Sequence, residues 1–75
     1  MNAEIAITQR QVLDLYLAQR AYLAGKPTAF LQDLLHEARD LTHSTTLSVR
    51  TAAEINHAAA HMVLEQRQQA AGPIS

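Results

Sequence analysis

Apolar residues recur at intervals of three and four through most of the chain. That is the spacing of a helix face, not the alternation of a half-buried strand. The cleanest run is Leu31, Leu34, Leu35, Ala38 and Leu41, with Asp33, Glu37 and Asp40 on the other side. It predicts an amphipathic helix over about 28–42, opening either with Thr28 as N-cap or with Pro27 at the first helical position.

Upstream, Thr8 and Gln11 have the spacing of a capping box, in which each side chain satisfies an otherwise orphaned amide. Ile7 and Val12 flank that cap as a hydrophobic staple. A helix over about 8–24 follows, ended by Gly25 and barred from continuing by Pro27. Downstream, "THSTTLS" is rich in hydroxyl side chains that compete for backbone hydrogen bonds. It holds neither glycine nor proline, so a kinked continuous helix is the alternative to a true break. A third helix is predicted over about 46–69, before the Gly72-Pro73 stop. Thr51 and Glu54 also match a capping box, but inside this helix, where the match is accidental. The fold class is therefore all-α: a three-helix antiparallel hairpin or small bundle. It forms one domain over 1–75, with 1–6 and 70–75 as flexible ends.

The apolar faces differ in width. Helix 2 has one stripe. Helix 1 has a stripe of Val12, Leu15, Tyr16, Tyr22 and Leu23, and a second arc of Leu13, Leu17 and Ala24. Helix 3 has a stripe of Ala52, Ile55, Ala59, Met62 and Val63, and a second arc of Val49, Ala53, Ala60 and Leu64. Two arcs are more than one neighbouring helix covers. The expected consequence is an interface with another chain, either a second copy in a homodimer or a different protein. Its residues would be Leu13, Leu17, Tyr16, Tyr22, Val49, Ala53, Ala60 and Leu64.

Length sharpens this. A 75-residue chain buries a modest fraction of its surface and usually needs a disulfide, a metal or a partner. There is no cysteine, which removes disulfides and fits a reducing compartment. The net charge of -1, with six cations spread along the chain, gives no basic patch for nucleic acid. No stretch approaches the roughly 20 apolar residues of a membrane span. The N-terminus "MNAEIAITQR" also lacks a signal-peptide layout, so a cytoplasmic protein without membrane contact is expected.

The one constellation that invites chemistry is Glu54, His57, His61 and Glu65, spaced three, four and four apart. Two histidines at i and i+4 form half a zinc, copper or nickel site, and a carboxylate can add a ligand. Ala58 stands where the zinc-protease pattern has its glutamate, and the cluster falls on the arc of helix 3 without large apolar residues. His36 and His43 would join only if helix 2 carried them round. The expectation is a solvated face, with no metal, no cofactor and no catalysis. General acid–base work needs a pocket that so small a bundle does not offer, and no nucleophile or phosphate loop is present.

Two functions from different classes follow. The first is a small helical protein–protein interaction module, expected to dimerise, that acts as adaptor, inhibitor or anti-activator by occupying a partner surface. Many bacterial and phage regulators are of this size. The alternative is a DNA-binding regulator with helices 2 and 3 as a helix-turn-helix and Ser48, Arg50 and Thr51 near the front of the recognition helix. Charge and the missing turn glycine count against that alternative.

Overall fold

The computed structural model describes residues 8–71. It is all-helical: α1 is Gln9–Leu23, α2 is Thr28–Leu41 and α3 is Leu47–Ala71, with no strand among the described residues. The three helices pack against each other, but unequally. α3 contacts both α1 and α2 extensively, whereas α1 and α2 meet only marginally. The third helix is thus the spine, and the first two lie on different sides of it.

The start of α1 forms as the spacing requires. Thr8 Oγ1 accepts from Gln11 N at 3.1 Å, and Gln11 Oε1 accepts from Thr8 N at 2.8 Å, which completes the capping box. Ile7, the outer half of the expected staple, lies outside the described residues.

The first turn differs in detail from the expectation. Ala24 caps α1 in a right-handed conformation, and Gly25 does not adopt the positive φ of a glycine C-cap. Tight bonds, Gly25 N to Tyr22 O at 3.3 Å and Lys26 N to Leu23 O at 2.9 Å, wind the end down instead. Pro27 takes the N-cap of α2 with φ -64° and ψ 154° and supplies no side-chain cap, so Thr28 is the first helical residue. Both expected registers are off by one position. The Thr28 hydroxyl is not needed as a cap because it is bonded from α3, as described below.

The second break is real, not a kink. Thr42 Oγ1 donates to Arg39 O at 2.6 Å, and Ser44 Oγ accepts from Thr46 N at 3.1 Å. These hydroxyls take over groups that a continuous helix would need. Thr46 O accepts the first helical bond of α3, from Arg50 N at 2.9 Å. α3 then runs through Thr51, so the inner capping-box match is indeed accidental. The helix also continues through Ala70 and Ala71, two residues beyond its expected end. Residues 72–75 and 1–7 lie outside the described part.

The buried core is small. Leu23, Leu31, Ala59, Ala60 and Val63 form its centre, with Tyr16, Leu34, Leu35 and Leu64 packed against it. Ala38 and Ala53 are buried too, so four of the seven buried residues among those described are alanine. Leu23 and Leu31 are the large side chains that are fully buried. Alanine at these positions lets helix axes approach closely but removes little apolar area from water per residue.

Candidate protein-interaction surface

Both apolar arcs of α3 are used within the chain, which revises the expected interface. α1 lies along Thr51, Ile55 and Ala58, against its own Val12, Leu13 and Tyr16. Ala53 and Ala60, on the other arc, are buried as well, and the remaining element available to cover them is α2. Leu64 is half-buried against the core. Of the α3 residues expected to meet another chain, Ala53, Ala60 and Leu64 therefore face their own chain, and Val49 alone is exposed. Two arcs do need two neighbours, and α3 has two.

α1 has only α3 beside it, and there the surplus persists. Its buried side carries Leu23 and the half-buried Val12, Tyr16, Gln19 and Arg20. The large apolar residues that remain fall on two flanks. Leu13 and Leu17, four apart, share one flank and are 51% and 48% exposed. Leu15 and Tyr22, seven apart, share the other and are 51% and 55% exposed. Of the expected α1 interface residues, Leu13, Leu17 and Tyr22 are thus open, while Tyr16 is half-buried at the core edge with Arg20 6.0 Å from its ring centroid.

The Leu15–Tyr22 flank opens onto a groove that pattern alone did not reveal. Leu15 lines a depression whose α3 side is Ser48, Thr51, Ala52, Ile55 and Asn56, and whose surface is mostly apolar. The Lys26 ammonium lies 4.7 Å from the Tyr22 ring centroid and 5.4 Å from that of Phe30, so it links the end of α1 to the start of α2. Phe30, Leu34 and Leu41 recur on one side of α2, and Phe30 and Leu41 are exposed. The sides of the depression at Leu15 are α1 and α3. Phe30 and Leu41 were the missed residues. Leu41 belongs to the α2 stripe, but the stripe does not say that its end protrudes past the core.

Arg67 ties the end of α3 to the turn between α1 and α2. Its guanidinium donates from Nη1 to Thr28 Oγ1 at 3.0 Å and from Nη2 to Ala24 O at 3.0 Å and Lys26 O at 2.6 Å. One side chain near the end of α3 thereby satisfies the carbonyl end of α1 and holds the turn into α2. The planar fork suits three acceptors set in different directions.

The polar stripe is exposed at three of its four positions. Glu54, His61 and Glu65 are exposed, and His57 is half-buried. The two imidazoles are stacked, with centroids 6.5 Å apart and an interplanar angle of 9°. Ring-nitrogen lone pairs lie in the ring planes, so parallel rings do not aim at one ion. Among the described residues, no group of three or more His, Cys, Asp or Glu side chains is placed to hold a metal.

At the front of α3, Arg50 is half-buried and donates from Nη1 to Ser44 O at 3.3 Å, back into its own turn. Ser48 and Thr51 line the groove beside Leu15. Among the described residues, no helix is long and apolar enough to cross a membrane. Compared with protein-family models, with curated proteins and with solved structures, the chain has no significant match.

Proposed function

We propose that the chain is a small non-enzymatic helical interaction module, an adaptor, inhibitor or anti-activator that works by occupying a partner surface. In this reading it is an up-down-up antiparallel bundle, and two copies associate through the Leu13–Leu17 flank of α1. The observation that carries it is the imbalance of burial. Among the described residues, eight large apolar side chains are exposed, from Val49 at 38% to Leu47 at 56%, against two that are fully buried. Covering a half-exposed leucine contributes on the order of 1 kcal/mol, so a few such contacts rival the whole margin of a small domain. The helix-turn-helix alternative gains nothing from the α2–α3 turn, where Arg50 is engaged with Ser44.

The test is mass in solution by light scattering for the wild type, Leu17→Asp and Leu64→Asp. The wild type is expected to be a dimer. Leu17→Asp should become a monomer with its helical circular dichroism intact, because Leu17 is exposed within the chain. Leu64→Asp should lose the fold itself, because Leu64 packs on the core. A wild type that stays monomeric at every concentration and captures no protein would end this reading.

A further inference from the structure

Resting on the interaction reading, we infer that the seat for the Leu13–Leu17 flank is the Glu54–Glu65 stripe of a second copy of this chain. Each copy then lays its α1 on the other's α3, with Arg10 and Arg20 set on the two glutamates. Flank and stripe lie on one face of the molecule. Leu13 and Tyr16 border the same recess as Glu54 and Ala58. His61 and Glu65 follow Glu54 at seven and eleven positions, so they continue its side of α3. Arg10 lies three residues before Leu13 and Arg20 three after Leu17, on the side of the leucines.

The two helices run in the same direction: Leu13 is beside Glu54 and Ala58 at one end, and Ala24 beside Arg67 at the other. The Arg67–Ala24 bond spans 43 residues, so Arg10 is level with the neighbourhood of Glu54 and Arg20 with that of Glu65. The arginines are ten residues apart, about 15 Å, and the glutamates eleven, about 17 Å. Along one length, α1 reads cation, leucine, leucine, cation, and α3 reads carboxylate, alanine, imidazole, carboxylate. Ala58 is exposed and small, which leaves room for a leucine. Among the described residues the ion pair that forms is Arg10–Asp14, at 3.9 Å with both side chains largely exposed, so neither glutamate is neutralised within the chain.

Charge also selects the symmetry. Two copies meeting face to face are related by a two-fold axis lying in the interface. An axis across the helices stacks α1 on α1 and, with the leucines centred, sets Arg10 against Arg20. An axis along the helices stacks α1 on α3 and gives every arginine a glutamate, two pairs in each half. Like charges facing each other across an interface are costly, so the second arrangement is favoured. The other charges leave this count intact. Asp14 lies half a turn from the buried Leu23, on the side of α1 away from α3. Arg50 donates to Ser44 O. Arg39 and the carboxylates of α2 are on the helix that covers Ala53 and Ala60, a different side of α3.

Light scattering over a concentration series tests this with two charge-reversed variants, Arg10→Glu/Arg20→Glu and Glu54→Lys/Glu65→Lys, each checked by circular dichroism. Each variant alone is expected to dimerise at least about tenfold more weakly than the wild type, because every pair turns repulsive, and the loss should shrink in high salt. Mixed in equal amounts, the two variants should recover the wild-type dimer, because each α1 then meets an α3 of opposite charge. Arg20 is half-buried, so Arg10→Glu alone replaces the first variant if Arg20→Glu costs helix content. A Glu54→Lys/Glu65→Lys variant that dimerises as the wild type does, or a mixture that stays monomeric, overturns the inference. If Leu17→Asp still dissolves the dimer in that case, the interaction reading stands and the flank has another seat. A wild type that is monomeric at every concentration also overturns the inference. The interaction reading then survives only if the chain captures a different protein.

Discussion

At the scale of single residues, Arg67 and Gly25 carry opposite expectations. Arg67 makes three hydrogen bonds from a charged donor, two of them to carbonyls that no helix satisfies. Arg67→Met should cost on the order of 2 kcal/mol in urea unfolding. Arg67→Lys should recover less than half of that, because an ammonium cannot fork to separated acceptors. Gly25 reads in the sequence as an obligatory helix stop. Its backbone is not left-handed, and a Cβ built there would meet only Tyr22 O, at 3.9 Å. Gly25→Ala should therefore stabilise the chain by about 0.4–1 kcal/mol, through the narrower unfolded ensemble. A loss in urea midpoint would show that the turn needs glycine after all.

At the scale of elements, the helices were legible because their boundaries are written locally. Thr8 and Gln11 lie three residues apart, and the hydroxyls that break the chain at Thr42 and Ser44 bond to neighbours within three positions. What each helix faces is not local. The α3 arcs were visible as arcs, yet the periodicity of one helix does not count its neighbours. Ala53 and Ala60 therefore looked available to another chain when α2 covers them. The role of Arg67 was hidden for the same reason, since its partner Ala24 is 43 residues away. The close approach implied by the alanines gives its own prediction. Ala60, with no exposed surface, should not accept a larger side chain: Ala60→Leu should lower stability by about 1–3 kcal/mol. At the exposed Ala58 the same substitution should be close to neutral, with both measured by urea unfolding.

At the scale of the whole molecule, the order of helices along the chain differs from their order of importance in space. The spine is the last helix, and the two it organises hardly touch each other. During synthesis α1 and α2 are therefore made before the surface that joins them exists. The 25 residues of α3 take more than about one second to add at 5–20 residues per second. Through that interval Leu23 and Leu31, the best-buried leucines of the finished protein, have no place to go. Helices this short hold poorly alone in water. The nascent chain thus spends its vulnerable period as two half-formed amphipathic segments, and cellular quality control meets it then. Ribosome release before Arg67 would yield not a smaller bundle but an unassembled one.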